Sequence, residues 1–366
     1  LSLFDQRCSG YFYQWMCESA RGTALERIQT ADKESTKEDI IHFTQLYTPD
    51  WVADYLVRNT ILPQINLNSR AVEELTILDP ACGAGHIILA AFELLLELYR
   101  KTGISECEAI ANILKFNLRA CDIDAKALWV CGLALISKAY SRRKTLAEFN
   151  AKLRLANVSS ANSNDPVNGG CETGSLRKTL GREFAPIASQ GDSPSAHPLG
   201  ENVDVVVANP PYIGRRLMDR RLKQFLKTNY PIAQHDISAA FLTRALELTN
   251  PGGFVAFITQ SSLLFLPSYE KLRQHWLDHN SVESVIELGP GVFPLQTGEK
   301  INSMLIVLRN TNVDEESAKE DQYMRFADLR NSKDKQAAIS NPSNLSYIHR
   351  SKRDFLAQRS LSFNYR

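Results

Sequence analysis

No stretch of this 366-residue sequence stays apolar over membrane-spanning length, and no signal-peptide pattern opens it. Neither a bilayer helix nor a secretory route is expected, and a cytoplasmic location is. An excess of charge of one sign is missing too: 42 Lys and Arg against 41 Asp and Glu leave a net charge of +1. No global basic field points to nucleic acid, so any such contact has to be a local patch or lie partly outside this chain. The seven cysteines (Cys8, Cys17, Cys82, Cys107, Cys121, Cys131, Cys171) contain no CxxC pair and no clustered spacing. That scatter reads as reduced thiols rather than disulfides or zinc ligands. Four common site signatures are absent: GxGxxG, the Lys-Ser/Thr of a phosphate loop, HExxH, and the G-x-S-x-G elbow that would make Ser261-Ser262 a nucleophile. His275 and His279 stand four apart on an expected helix, but no third metal ligand accompanies them, and packing is the favoured reading. No metal is expected. The chain opens on Leu1 rather than methionine, which reads as a piece of a longer protein.

What is present is an ordinary globular balance, 44% hydrophobic and 23% charged, in a chain long enough for a large α/β domain with an appendage. Residues 1–40 read as a helical extension with Phe12, Trp15 and Met16 on its apolar face. Thr48 and Pro49 read as an N-cap and a first helical residue ahead of Trp51-Val52-Ala53. Strand and helix then alternate: strands at 76–78, 118–121, 155–159, 203–208, 254–259, 282–288 and 304–308, with helices at 86–99, 125–140, 216–228, 237–249 and 268–277. Regular alternation of this kind predicts a doubly wound, mostly parallel sheet with right-handed crossovers. Residues 163–202, rich in Ser, Asn, Gly and Pro, read as a long insertion. Residues 311–366 turn polar and read as a linker or the start of a further region.

Three strand ends carry the chemistry. The first runs into Asp79-Pro80-Ala81-Cys82-Gly83-Ala84-Gly85 and then a helix. Small residues and two glycines let backbone approach a ligand at the carboxyl edge of the sheet. The second ends in Asp122-Ile123-Asp124, where Asp122 is placed for ribose hydroxyls and Asp124 for capping the next helix. The third, Val203–Ala208, ends in Asn209-Pro210-Pro211-Tyr212. Neither proline donates an N–H and both fix φ, so the turn is stiff and its carbonyls are free to accept. Asn209 and Pro210 can accept from a planar amino-bearing group while Tyr212 stacks on its ring. The competing reading is a strand-terminating turn with a core tyrosine. Downstream, Arg215, Arg216, Arg220, Arg221, Lys223 and Lys227 form a basic stripe suited to phosphate contact or to solvent.

DPACGAG, CDID and VDVVVANPPY resemble the cofactor and catalytic motifs of S-adenosylmethionine-dependent adenine-N6 DNA methyltransferases. FTQLYTP, standing ahead of DPACGAG, resembles the leading motif of the gamma-type order, which covers the methionine part of the cofactor. Gly291-Val292-Phe293-Pro294 resembles the family's late motif. The context FTQLYTPDW, NPPYIG and ITQSS looks closest to phage-exclusion (BREX) methyltransferases and fused type II (type IIG) restriction-modification enzymes. The resemblance covers residues 41–310 and implies a Rossmann-like, seven-stranded methyltransferase domain with residues 311–366 as a linker or the start of a truncated target-recognition region. By the same resemblance, Asn209, Pro210, Pro211, Tyr212 and Phe293 are the catalytic set. Tyr47, Thr48, Pro49, Asp79, Ala81, Gly83, Gly85 and Asp122 hold S-adenosyl-L-methionine. Asn162 or, alternatively, Asp192 meets the adenine end of the cofactor. The implied substrate is double-stranded DNA, in restriction-modification or phage defence, with other defence-system subunits as partners. Methylation of RNA or of protein glutamine, and a defence subunit inactive without partners, are the competing functions.

Overall fold

The computed structural model describes residues 17, 22, 23, 46, 48–142, the backbone of 155–157, and residues 202–293, 301–311, 323–341 and 345–366. Among these, the expected alternation is realised as β1 (Ile77–Asp79), β2 (Leu118–Asp122), β3 (Leu155–Asn157), β4 (Val203–Ala208), β5 (Thr249–Gln260), β6 (Asn280–Gly289), β7 (Ser303–Asn310), β8 (Tyr323–Asp328) and β9 (Ile348–Ser351). The strands form one mixed sheet in the order β3-β2-β1-β4-β5-β7-β6-β8-β9. The pairs from β3 through β5 are parallel, while β7 runs antiparallel to both β5 and β6. Helices α1 (Asp50–Asn68), α2 (His86–Tyr99), α3 (Ala125–Ser141), α4 (Arg220–Asn229), α5 (Ile237–Glu247) and α6 (Glu270–His279) connect and cover it.

Strand alternation assigns the two cores. Val205 and Val207 of β4, with Phe254, Ala256 and Ile258 of β5, pack against Leu56 and Ile61 of α1 and Phe92 and Leu95 of α2. Val206, Ala208, Val255 and Phe257 point the other way, against Phe241 and Leu242 of α5 and Trp276 of α6. Each strand therefore buries both faces, which is why β4 reads as an unbroken apolar run rather than an alternating one. At about 25 cal/mol per Å², a fully buried valine or phenylalanine in such a layer is worth roughly 1.5–3 kcal/mol. The amino edge of the sheet is pinned by Asp204, whose carboxylate accepts from Thr76 N and Oγ1, Arg70 Nη2 and Asn250 Nδ2 at 2.9–3.0 Å. The site motifs lie at the opposite, carboxyl edge.

Two expectations are corrected. The sheet has nine strands among the described residues, not seven. The extra pair comes from the tail: β8 lies parallel to β6, and β9 antiparallel to β8. Met324 and Phe326 of β8 are buried, and Phe326 stacks on Tyr365 at 4.7 Å within a cluster completed by Phe355 and Phe363. Polar flanks hide this short strand in the sequence. The second correction is at α1. It starts at Asp50 with Pro49 in the N-cap position and no side-chain cap, and Thr48 is buried instead of capping. No helix among the described residues is long and apolar enough to cross a membrane.

Candidate active site

Sheet order brings the three strand ends together. β1 lies between β2 and β4, with Asp79 opposite Ala120 and Leu78 opposite Val206. The Asp79–Gly85 loop is thus flanked by Asp122 on one side and Asn209 on the other. Gly83 has φ 51° and Gly85 φ 91°, left-handed values that an L side chain resists. Gly85 also packs against α3, where an added Cβ would fall 2.5 Å from Cys131 Sγ. Gly85 opens α2, so this helix directs its free N–H groups toward the loop.

The two carboxylates of the loop are buried and tied to backbone. Asp79 accepts from Ala81 N at 3.0 Å. Asp122 bridges the two strand ends: one oxygen accepts from Gly83 N and the other from Asp124 N, both at 2.7 Å. Each Asp122 oxygen keeps a lone pair, a donor-seeking arrangement that fits a ribose diol. Burial pushes the Asp122 carboxyl up to about 6 against the pull of its backbone N–H donors. Burial pushes Asp79 well above the carboxylate range, and the charge of Asp122 adds to that rise. Asp124 caps α3 by accepting from Lys126 N at 2.9 Å, as its position predicts. Cys82 and Cys131 are buried free thiols, and burial raises the Cys82 thiol well above its usual range.

At the end of β4, both ends of the Asn209 amide are engaged. Nδ2 donates to Leu46 O at 2.6 Å, and Oδ1 is 2.5 Å from the Tyr212 hydroxyl. That hydroxyl also lies 3.0 Å from Ile258 O. Tyr212 is only 6% exposed, and its ring meets Phe293 directly, with centroids 6.2 Å apart and planes tilted by 55°. Tyr212 and Phe293 are therefore brought together, but in contact with each other rather than facing across a slot. Behind them stands Asp236, which sequence reasoning did not single out. It caps α5 through Ser238 N and Oγ, and Ser238 Oγ receives Thr259 Oγ1 at 3.1 Å. A bridge between Gly214 and Asp236 ties the strand-end turn to α5. Burial raises Asp236 to about 6 and raises the Tyr212 hydroxyl, with the Asp236 charge as the second cause for Tyr212. An Asp ahead of an apolar helix could be read as a cap in the sequence; its nearness to Tyr212 could not.

The basic stripe is split. Arg215–Leu217 is a single 3-10 turn, and α4 begins only at Arg220, because Asp219 caps it through Leu222 N at 2.6 Å. Arg216 is therefore off the helix, while Arg220 and Lys227 are exposed on it and Leu222 and Leu226 are buried. Arg215 donates to Gln234 Oε1 at 3.0 Å. His275 and His279 stack on each other at 4.6 Å, and no metal-holding group of three His, Cys, Asp or Glu exists among the described residues. Tyr47, Asn162 and Asp192 lie outside the described residues, as do Phe12, Trp15, Met16, Pro294 and the insertion from 163 to 201.

Comparison with known proteins adds the lineage. Residues 116–293 match the family described as Eco57I restriction-modification methylase. The chain is 26% identical to the adenine-specific methyltransferase PglX of Lacticaseibacillus casei (strain Zhang), covering 94% of this chain and 35% of that protein. It is 25% identical to the adenine-specific methyltransferase BrxX of Escherichia coli O9:H4 (strain HS), covering 83% of this chain and 33% of that protein. The chain thus spans about a third of the length of these relatives. Among solved structures, a nuclease-deletion mutant of the Type ISP restriction-modification enzyme LlaGI, in complex with a DNA substrate mimic, superposes with a TM-score of 0.60 at 14% identity, covering 87% of this chain and 27% of that one. That likeness supports the fold. Over residues 116–293 the chain is thus similar to Eco57I-type restriction-modification methylases.

Proposed function

We propose that this chain transfers a methyl group from S-adenosyl-L-methionine to N6 of an adenine flipped out of double-stranded DNA, in the cytoplasm, as part of restriction-modification or phage defence. The observation that carries this reading is the adjacency of β1 and β4. It sets the Asp79–Gly85 loop beside Asn209-Pro210-Pro211-Tyr212 at one edge of the sheet.

The cofactor supplies an electrophilic methyl on a sulfonium, whose sulfur keeps the bonding pair when the methyl leaves. In this reading Asp122 takes the ribose hydroxyls, and Asp79, Ala81, Gly83 and Gly85 frame the cofactor with backbone and carboxylate. Thr48 and Pro49, with Tyr47, cover its methionine end, and Asn162 serves its adenine. Adenine N6 is conjugated into its ring and barely basic. Acceptors at Asn209 Oδ1 and the Pro210 carbonyl hold both amino hydrogens and stabilise the positive charge that grows as the N–C bond forms. Pro211 stiffens the turn. Fixing nitrogen and methyl within reach supplies the orientation term, up to ~7–11 kcal/mol in favourable cases. The extra proton leaves N6 after transfer, so a strong base is not needed. Tyr212 and Phe293 offset part of the flipping cost by stacking, roughly 1–3 kcal/mol per base. Because they touch each other, a base enters between them only if the rings part.

The relatives' greater length favours a second element of the reading, that other domains or defence subunits complete the activity. The test is transfer of labelled methyl by the full-length protein to DNA, RNA and protein in parallel, with and without candidate partner subunits, followed by single-molecule mapping of modified adenines. Label in DNA at adenine is expected. Label confined to RNA or protein would sink the reading. Label that appears only after subunits are added would fix the partner requirement.

A further inference from the structure

An asparagine amide has two ends of nearly the same shape and opposite hydrogen-bonding character. If Asn209 serves a target amine, only one orientation works: Oδ1 must face the amine, since Nδ2 would set donor against donor. The structure contains the groups that decide this. A main-chain carbonyl can only accept, so Leu46 O at 2.6 Å fixes which end is Nδ2. The Tyr212 hydroxyl, 2.5 Å from the other end, donates to Oδ1. Among the described residues its other partner is Ile258 O at 3.0 Å, also an acceptor. The amide oxygen has two lone pairs, so with the Tyr212 hydroxyl on one the other stays open to an arriving amine.

We propose that the Tyr212 hydroxyl and the Leu46 carbonyl are positioning groups that hold the Asn209 amide with its oxygen toward the target amine. This rests on the adenine-methyltransferase reading above and deepens it. The Tyr212 side chain then has two separable tasks, ring against base and hydroxyl against Asn209. Leu46 gives the arrangement a second consequence. It stands two residues before Thr48-Pro49, in the segment that leads into α1. A ligand that draws this segment onto the cofactor site also holds the Leu46 carbonyl against Asn209. Cofactor and target binding are thereby coupled, and the coupling is reciprocal.

The experiment compares the full-length protein with its Tyr212→Phe variant. It measures melting temperature, S-adenosylhomocysteine affinity, DNA affinity, and single-turnover methyl transfer at saturating DNA. Tyr212→Phe keeps the ring. Its expected signature is both affinities within about twofold of wild type and a transfer rate at least tenfold lower, a loss in kcat and not in KM. A role only in packing would move the melting temperature and leave the rate of the folded fraction unchanged; a rate within twofold of wild type overturns the proposal. Should the variant fail to fold, the wild type alone still tests the coupling. Its DNA affinity is expected to rise several-fold with S-adenosylhomocysteine bound, and an unchanged affinity overturns the role of Leu46. If the wild type labels RNA or protein but no DNA, it is the parent reading that fails, not this one.

Discussion

Lowering the pH from 7 to 5 should weaken cofactor binding about tenfold, and Asp122 is the reason. Its carboxyl is pushed up to about 6 by burial at the junction of β1 and β2. A ribose diol donates to the ionised form, so apparent affinity scales with the ionised fraction. For a pKa near 6 that fraction is about nine-tenths at pH 7 and about one-tenth at pH 5. The ligand does not confuse the comparison of pH 5 with pH 7, because its α-amino group and carboxylate titrate outside that window. Stability runs the opposite way. From the usual 3.8 up to about 6 the unfolded chain gives up its proton first, so folding is favoured at low pH and the contribution is lost as pH rises through 6. At 1.36 kcal/mol per pH unit the whole effect is about 3 kcal/mol. Calorimetric titration of S-adenosylhomocysteine at pH 5, 6, 7 and 8 checks the first sign, and urea unfolding of the unliganded protein checks the second. Asp122→Asn should flatten the affinity profile and bind about 10–100-fold more weakly at pH 7, the worth of a hydrogen bond to a charged acceptor. Asp79 belongs to the same pair, its own rise increased by Asp122, so the wild-type profile reports the pair rather than one residue. Wild-type affinity that is flat from pH 7 to 5, or an Asp122→Asn variant that keeps the tenfold loss, would refute the assignment.

Three further outcomes follow from the geometry. Gly85→Ala should cost about 2–5 kcal/mol, combining a left-handed φ of 91° with a Cβ placed 2.5 Å from Cys131 Sγ; adding Cys131→Ala should restore part of it in urea midpoints, and no recovery would mean that strain alone decides. Arg220→Glu with Lys227→Glu, both exposed on α4, should reduce the slope of log K against log salt for DNA binding by about 2 if each residue meets a phosphate; an unchanged slope removes them from the interface. Arg273→Met should cost at least about 3 kcal/mol and loosen residues 352–366 in hydrogen exchange. Arg273 is fully buried and donates to the carbonyls of Leu263, Leu266, Ser360 and Leu361 at 2.6–3.0 Å, and the change removes all four bonds.

Much of the central sheet could be read directly. Val203–Ala208 is a strand over the span its apolar run gives, and His86–Tyr99 a helix over the span its periodicity gives. Both are buried on several sides, so their composition is dictated by packing. The tail could not be read, because β8 alternates Met324 and Phe326 with exposed or polar neighbours and is only six residues long. What completes it is remote: Tyr365 donates to Glu287 of β6 at 2.6 Å, and Arg366 pairs with the same carboxylate. The site was legible in its residue types and not in its bonds. DPACGAG announced a loop where backbone can approach a ligand, and the structure adds that both of its glycines have positive φ. No sequence pattern indicates that Asp122 spans to Gly83 N, or that Asn209 reaches Leu46 across 163 positions. Such contacts are set by the parallel register, which places β1 and β4 ends side by side and leaves no trace in local spacing.

The Asn-Pro-Pro-Tyr turn supports both a packing and a binding reading of Tyr212. Taken alone, Tyr212 does behave as a core tyrosine, 6% exposed and packed on Phe293. A tyrosine used only for packing would place its hydroxyl in water or on any nearby carbonyl. Here the hydroxyl is buried between two acceptors, one of them the Asn209 amide three residues back. Burying a hydroxyl without a partner costs about 1–3 kcal/mol, and one partner is enough to remove that cost. The carbonyl of Ile258 would suffice. A second acceptor with its other end fastened to Leu46 adds orientation rather than stability, and orientation is what an amide needs if a ligand is to find its oxygen. The core reading and the binding reading are therefore not rivals at this residue. Burial holds the ring still enough for the hydroxyl to set the amide, and Tyr212→Phe separates the two by keeping the first and removing the second.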